Sequence, residues 1–299
     1  MELRALTGAD LPALSALCRA GLREPLDDST LRRLLLAEPD LRPALQLGLW
    51  DGPRLVGAAL GSLRTMPEGL VGGPRLLLLA PEARGHGYGA RLLTLLEERL
   101  LEAGVVELRV GRLAPNYLWP GLDPRDTVAL CLFERRGYSR AGEAVNMAVD
   151  LTARHWWTLD DQLRLAASGW MLRRCTPADR QSLAAWVRAQ FGPLWEWEAC
   201  LALDQEPVSV FIAERAGQIG GFACHSVSGF PGTFGPTGTA EAVRGAGLGR
   251  ALLLRCLADL RELGFRTAEI GWVGPLAFYS RIAGASVSRV CWFYRKGTH

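Results

Sequence analysis

The spacing of apolar and polar residues predicts short strands alternating with amphipathic helices, and the same order occurs twice along the chain. In the first half, strands are predicted at 3–6, 44–50, 55–63, 75–80, 105–110 and 145–150. In the second half, they are predicted at 171–174, 209–214, 219–225, 233–239, 267–272 and 287–294. A leucine-rich helix follows the fourth strand of each half and ends near Gly104 or Gly264, glycines suited to a helix C-terminus. The alternation of strands and helices predicts an α/β fold.

Self-comparison of the sequence indicates a duplication. The segment RGHGYG at 84–89 recurs 160 residues later as RGAGLG at 244–249. Thr7 and Thr176, both suitable helix N-cap residues, begin matching segments upstream of these loops. We therefore predict a first domain at 1–150, a linker at 151–169 and a second domain at 170–299, as the length of 299 residues also favours.

Each glycine-rich loop lies between an apolar strand and a long helix. Backbone N–H groups at a helix start lack partners within the helix, and the helix dipole adds partial positive charge there. Alternate glycines let this backbone approach a phosphate closely. Arg84 and Arg244 begin the loops, and Arg91 or Arg250 lies at the helix start. The pattern predicts an anion-binding loop in each half.

The loop sequence distinguishes among three nucleotide-binding motifs. A Walker A loop requires Gly-Lys-Ser/Thr, which neither copy has. A dinucleotide fingerprint is G-x-G-x-x-G after the first strand, whereas these loops are G-x-G-x-G after the fourth. Arg-x-x-Gly-x-Gly between a strand and a long helix closely resembles the pyrophosphate loop of the GNAT superfamily of acetyl-CoA-dependent N-acetyltransferases. The resemblance covers nearly the whole order of elements in both halves.

This resemblance implies two tandem GNAT-like domains, each with a mixed, mostly antiparallel sheet flanked by helices. It also implies that loop amides bind the pyrophosphate of acetyl-CoA and that the end of the fourth strand pairs with the pantetheine arm. The residues expected at the coenzyme are Leu79, Arg84, Gly85, Gly87, Tyr88, Gly89 and Ala90 in the first half, and Thr239, Arg244, Gly245, Gly247, Leu248, Gly249 and Arg250 in the second. Neither motif calls for a metal.

The two halves differ at the position where this family often has a proton-donating tyrosine. Tyr279, in the helix after the fifth strand of the second half, matches that position, and a phenol is protonated at neutral pH. Phe133 holds the position in the first half and cannot donate a proton. The first half also carries an insertion at 112–126, in which Tyr117 is an alternative donor. We therefore favour catalysis in the second half, and the first domain could be degenerate.

The general base and the acceptor site are less clearly marked. His225, Glu196 and Glu198 are candidate bases, although each is more typical of a solvated surface residue. Trp195 and Glu196 follow a turn signal where this family builds its acceptor pocket, and an indole next to a carboxylate suits a cationic amine. Deprotonation through ordered water would require none of these side chains.

Composition narrows the remaining possibilities. A net charge of +3 gives no sign of a nucleic-acid or membrane partner, and seven scattered cysteines without C-x-x-C spacing indicate neither a zinc site nor a disulfide framework. The acidic N-terminus and the lack of a long apolar segment predict a cytoplasmic protein, monomeric or homodimeric. The sequence thus predicts an N-acetyltransferase that uses acetyl-CoA and a small-molecule or peptide amine. The alternative is a coenzyme-A-binding regulatory or structural protein without turnover.

Overall fold

The computed structural model describes residues 1–24 and 26–298. The elements of the first half are β1 (Glu2–Ala5), α1 (Leu11–Gly21), α2 (Asp28–Leu36), β2 (Gln46–Asp51), β3 (Arg54–Met66), β4 (Gly69–Leu79), α3 (Tyr88–Glu102), β5 (Glu107–Val110), α4 (Thr127–Arg135) and β6 (Ser139–Asp150). Those that follow are α5 (Leu159–Ala167), β7 (Met171–Arg174), α6 (Arg180–Phe191), α7 (Pro193–Leu203), β8 (Val210–Arg215), β9 (Gln218–His225), β10 (Thr233–Thr239), α8 (Leu248–Glu262), β11 (Thr267–Ile270), α9 (Leu276–Ala283) and β12 (Ser286–Gly297).

The chain forms two compact units. Unit 1 contains Met1–Ala144 and Val290–His299, and unit 2 contains Val145–Arg289. These limits differ from the predicted domains because each terminal strand contributes to the other half's unit. The last part of β12 pairs with β5, through Tyr294 opposite Val110, and the last part of β6 pairs with β11. The predicted linker belongs to unit 2, where it contains α5.

Both units have the same sheet topology, as the duplication predicts. Unit 1 has the order β1-β2-β3-β4-β5-β12, and unit 2 has the matching order β7-β8-β9-β10-β11-β6. All neighbouring strands are antiparallel except β4 with β5 and β10 with β11, which are parallel. The predicted mixed, mostly antiparallel sheets are therefore confirmed. Helices α2 and α7 were not among the predicted elements.

Helices cover both faces of each sheet. In unit 1, Leu78 of β4 faces α1 while Leu79 faces Gly89 of α3, as alternation along a strand requires. In unit 2, the α8 face is filled by a core that includes Leu252, and the opposite face by a core that includes Phe222 under α6 and α7. Apolar burial on both faces therefore holds each sheet in place between its helices.

The starts of α1 and α6 have the same local structure. Thr7 and Asp10 form a capping box before α1, and Thr176 and Asp179 form one before α6. Each box closes a 3₁₀ turn that leads into the helix. The N-cap role predicted for both threonines is therefore confirmed, although the helical turn that they begin is 3₁₀ and not α.

Candidate active site

The two glycine loops have the same backbone conformation. The φ angles of Gly85 and Gly87 are +81° and +80°, and those of Gly245 and Gly247 are +86° and +81°. These left-handed values favour glycine. A Cβ atom at any of the four would meet nothing within 4 Å among the described residues. The loops therefore leave open surface in front of each helix start.

Backbone amides at the helix starts adjoin this surface. The first hydrogen bond of α3 joins the N–H of Arg91 to the carbonyl of Gly87, and that of α8 joins Ala251 to Gly247, each at 3.0 Å. The amides of the three residues before each donor precede this ladder; they are Tyr88, Gly89 and Ala90 in unit 1 and Leu248, Gly249 and Arg250 in unit 2. Such amides at a helix N-terminus fit an anionic diphosphate. Their role in coenzyme binding stays a prediction.

The arginines of the two loops differ. Arg84 turns back and donates to the carbonyl oxygens of Gly21 at 2.9 Å and Leu79 at 3.2 Å. Arg244 is 65% exposed and lies 3.8 Å from Glu241, so its guanidinium is available to an anion. Arg250 forms an ion pair of 2.7 Å with Asp161 of α5. Sequence reasoning missed this partner because Asp161 lies in the predicted linker.

The strands before the loops separate from their parallel neighbours. β4 pairs with β5 only at Val71 and Gly72, and β10 pairs with β11 only at Thr233 and Phe234. Beyond these pairs, the described residues of the two strands in each unit are no longer in register with each other. The ends of β4 and β10, at Leu79 and Thr239, thus lie beyond the cleft and next to the loops, as the resemblance implies.

A β-bulge lies at the same register position in both clefts, but its residue differs. In unit 1, the register of β4 against β3 shifts around Arg75, and in unit 2, that of β10 against β9 shifts around Gly235 and Pro236. The side chain of Arg75 is 1% exposed and fills the bulge of unit 1. A Cβ atom on Gly235, where φ is +124°, would meet nothing within 4 Å among the described residues. The bulge of unit 2 therefore adjoins open space.

A buried ion network closes the bulge of unit 1. Arg75 and Arg64 both contact the carboxylate of Glu38, which is 0% exposed. Burial lowers the pKa of Arg75 to about 10 despite the favourable charge of Glu38. Asn116, from the insertion at 112–126, donates to Glu38 at 3.1 Å, and the main chain of the insertion accepts from Arg64 at 2.6 Å. The insertion is therefore bound over this bulge.

Tyr279 lies in α9 beside the cleft of unit 2. Its ring packs edge-on against Phe234, with 6.1 Å between centroids, and against its neighbour Phe278. Phe278 lies 3.7 Å from the position of a Cβ on Gly249, so α9 flanks the glycine helix. Burial raises the pKa of Tyr279 to about 12, which keeps the hydroxyl protonated at neutral pH. Phe133 has the matching position in unit 1 and is buried against Tyr138.

The candidate bases do not have the expected solvated environment. His225 is buried, and its Nε2 lies 2.8 Å from Oδ2 of Asp259. Glu198 is also buried and accepts from Ser228. Glu196 is mostly buried beside Arg188, at 2.5 Å. The predicted surface position is wrong for His225 and Glu198, which are both buried. The imidazole of His225 is hydrogen-bonded to Asp259, and the carboxylate of Glu198 is hydrogen-bonded to Ser228.

The aromatic residues of α7 are partly core. Trp195 packs on Phe191 and Phe222, with ring centroids 5.1 and 6.1 Å apart. Phe191 in turn covers the backbone of β10 at Gly238, where a Cβ would lie 2.4 Å from its ring. This aromatic cluster supports the wall of the β10 cleft opposite α8. Its contact with an acceptor stays a prediction.

Comparison with known proteins identifies the class to which this geometry belongs. The profile of the acetyltransferase (GNAT) family matches residues 12–116 and again 170–283. The two matches cover most of the chain and fall on the two loops, clefts and bulges described above. The chain therefore belongs to the GNAT acetyltransferase family, as a tandem of two GNAT domains, and it is an acyltransferase.

Particular relatives agree with this assignment. The chain is 29% identical to a mycothiol acetyltransferase of Thermobispora bispora, over 88% of this chain and 87% of the relative. Among solved structures, a tandem GNAT protein from the clavulanic acid biosynthesis pathway superposes with a TM-score of 0.70 at 18% identity, over 100% of this chain and 98% of that one. A glucosamine N-acetyltransferase region of a fungal GH3 β-N-acetylglucosaminidase gives 0.77 at 18% identity. The superposition covers 99% of this chain but only 38% of that multi-domain protein.

The described residues contain neither a metal-binding cluster nor a membrane-spanning helix. They contain no cluster of three or more His, Cys, Asp or Glu side chains arranged around a metal position. No helix among them is long and apolar enough to cross a lipid bilayer.

Proposed function

We propose that the protein transfers an acetyl group from acetyl-CoA to a primary amine of a small molecule or peptide, and that unit 2 performs the reaction. The observation that carries this proposal is the open space at the Gly235 bulge, next to Phe234 and Tyr279. The matching bulge of unit 1 contains the buried guanidinium of Arg75. An amine can therefore approach the bulge in unit 2, whereas the guanidinium of Arg75 occupies the corresponding place in unit 1.

Coenzyme binding in unit 2 is assigned to main-chain groups. The amides of Leu248, Gly249 and Arg250 face the pyrophosphate, and exposed Arg244 adds positive charge beside it. The free edge of β10 from the bulge to Thr239 is available to the amide groups of the pantetheine arm. In unit 1, Arg84 already donates a hydrogen bond to the carbonyl of Leu79 at the corresponding strand end.

The reaction forms a bond from the amine nitrogen to the acyl carbon and breaks the bond from that carbon to sulfur. The nitrogen loses a proton and the sulfur gains one, and solvent water can carry the proton between them. The pKa of Tyr279 is raised to about 12, which is about 3.5 units above that of an ordinary thiol. Complete proton transfer from the phenol to the thiolate would therefore cost about 5 kcal/mol. We therefore assign Tyr279 as a hydrogen-bond donor that stabilises developing negative charge on sulfur.

The acceptor class is the finer part of the proposal. The relative from Thermobispora bispora is named for mycothiol, which supports a small amine acceptor over a large protein. The partly buried indole of Trp195 and the carboxylate of Glu196 lie in α7, on the side of the sheet opposite α8. An amine-bearing small molecule could bind there by contact with the indole face and the carboxylate.

The test uses the full chain with acetyl-CoA and a panel of amines that includes non-acetylated mycothiol. Thiol release should occur with at least one amine, and Tyr279→Phe should lower kcat by about 10- to 100-fold with little change in the KM of acetyl-CoA. Tyr117→Phe, in the insertion of unit 1, is the matched control and should leave kcat unchanged.

Other outcomes would contradict the proposal in identifiable ways. Loss of turnover in Tyr117→Phe, with Tyr279→Phe unaffected, would place the chemistry in unit 1. Calorimetric binding of acetyl-CoA without thiol release on any amine would support the alternative of a coenzyme-binding protein without turnover.

A further inference from the structure

A hydrogen-bonded series of three side chains, two of them buried, lies at the end of β9 in unit 2. Oδ2 of Asp259 is 2.8 Å from Nε2 of His225, and Nδ1 of His225 is 3.2 Å from Oγ of Ser226. Asp259 and His225 are 2% and 1% exposed. Because a carboxylate only accepts, Nε2 donates to Asp259, and in the tautomer that carries its single proton on Nε2, Nδ1 accepts from the Ser226 hydroxyl.

Asp259 is held in its ionised form. Burial disfavours the charge, but hydrogen bonds from His225 and Arg174 outweigh it and hold the pKa of Asp259 below its usual value. Arg255 adds a weaker contact at 3.5 Å. The carboxylate is thus a fixed acceptor on α8, and it fixes the orientation of the imidazole.

Ser226 connects this series to the turn before β10. Its φ angle is +59°, a left-handed value that is uncommon outside glycine and requires support from neighbouring groups. Oγ of Ser226 accepts from the N–H of Gly232 at 3.1 Å, and the N–H of Ser226 donates to the carbonyl of Thr233 at 2.7 Å. These bonds close the turn at 226–233 on itself and fix where β10 begins.

The start of β10 in turn determines the geometry of the cleft. Thr233 and Phe234 are the only residues of β10 in register with β11, and the bulge at Gly235 follows them directly. The ring of Phe234 is also the edge-on neighbour of Tyr279. A shift of this turn would therefore move the bulge and the tyrosine relative to each other.

Unit 1 lacks the series. Gly61 stands at the register position of His225, opposite the residue before the bulge, and Arg99 lies 160 residues before Asp259. Only the unit with the open bulge and the tyrosine therefore has this connection among the described residues.

We propose that His225 and Ser226 are positioning residues that align the Gly235 bulge with Tyr279, so that the hydroxyl meets the sulfur of the thioester. The inference rests on the proposed function of unit 2. It assigns His225 a role through Ser226 and the turn, and it removes His225 from the set of candidate bases.

A double-mutant cycle on the full chain tests the inference. Ser226→Ala keeps the Cβ and removes the hydroxyl; we expect kcat to fall about tenfold with the KM of acetyl-CoA unchanged, because the glycine loop follows the opposite end of β10. In the Tyr279→Phe background, Ser226→Ala should have little further effect, since there is no hydroxyl left to align. His225→Ala should match Ser226→Ala, and His225→Asn should recover part of kcat.

The control is Ser182→Ala, which removes a hydroxyl that bonds the main chain at the start of α6. It should leave kcat unchanged. Equal losses from Ser226→Ala in both backgrounds, or a parallel rise in KM, would overturn the inference and leave the proposed function standing. An unaffected Tyr279→Phe enzyme would instead show that the proposed role of Tyr279 fails.

Discussion

The carboxylate of Glu38 lies 3.3 Å from the guanidinium of Arg75, and both side chains are buried at the bulge of unit 1. Arg64 contacts the same carboxylate, and Asn116 donates to it. One carboxylate thus contacts two buried guanidinium groups, and main-chain carbonyls of the insertion accept further hydrogen bonds from Arg64. The two domains of this duplicated chain therefore differ more at the bulge than in their glycine loops.

The Glu38→Gln variant should be strongly destabilised. It leaves Arg64 and Arg75 buried without a counter-charge, which costs about 3–5 kcal/mol in the free energy of unfolding. Urea unfolding followed by tryptophan fluorescence measures the loss. Glu82→Gln is the control, because its pair with Arg54 is on the surface and worth about 0–1 kcal/mol. Equal midpoints for the two variants would show that the network contributes nothing.

The Gly247→Ala variant should weaken coenzyme binding. It forces a left-handed φ of +81° on alanine and places a methyl group in the open space at the loop. We expect the KM of acetyl-CoA to rise about tenfold or more, equivalent to at least about 1.4 kcal/mol. Gly264→Ala, with φ of +93° and equally open space, should lose similar stability without a change in KM.

The Gly235→Ala variant should lower kcat. The added methyl group enters open space at the bulge, where the proposal places the approach of the amine, and its φ of +124° is unfavourable for alanine. A fall of about tenfold is expected from misplacement at the reacting centre. Steady-state kinetics with a thermal melt separates this from unfolding. Gly142→Ala, with φ of +118° in unit 1, should affect the melt alone.

The contribution of Tyr279 should persist to high pH. Because its pKa is raised from 10 to about 12, the hydroxyl stays protonated at pH 10, where an exposed phenol would be half ionised. The ratio of wild-type kcat to that of Tyr279→Phe should therefore be constant from pH 7 to about 10. A ratio that falls between pH 9 and 10 would contradict the buried position. The same raised pKa predicts that any stability due to the neutral hydroxyl is lost between about pH 10 and 12.

The capping box at Asp10 should contribute to acid stability. Hydrogen bonds from Arg4 and Thr7 lower the pKa of Asp10 to about 2, so its contribution is complete above about pH 4 and is lost as the pH falls to about 2. After screening of the half-exposed Arg4, we expect about 1 kcal/mol. Unfolding of Asp10→Asn, measured at pH 3 and 6, should show a smaller pH difference than wild type. Asp40→Asn, in an exposed pair with Arg42, should match wild type.

The local pattern was sufficient for most elements. The strands at Met171–Arg174 and Thr233–Thr239 have the bounds that alternation and turn residues predict. Three helices were missed: α2 and α7, whose helical spacing is short and follows prolines and glycines, and α5, which lies in the predicted linker. The predicted domain limits did not include the exchange of the two terminal strands, because strand pairing across a long sequence separation leaves no local signal.

The site was predictable to different degrees. The glycine spacing predicted the loops, and the structure gives their glycines left-handed φ angles, whereas coenzyme binding there stays a prediction. The network at Arg75 had one available signal, a charged residue inside an apolar strand, but its partners Glu38 and Asn116 lie far away in sequence. His225 gave no signal of burial, because its acceptor Asp259 comes from a helix that begins 23 residues later.

By itself, the sequence determined the duplication, the order of most elements, the two glycine loops and the tyrosine that distinguishes one half. Those features depend on residue type and short-range spacing, which fix backbone dihedral angles and the face that each element buries. Only the tertiary structure decided which bulge is filled, which candidate base is buried and which strand closes which sheet. Each of these depends on contacts between residues distant in sequence, where the free energy of burial and of hydrogen bonding selects the partners.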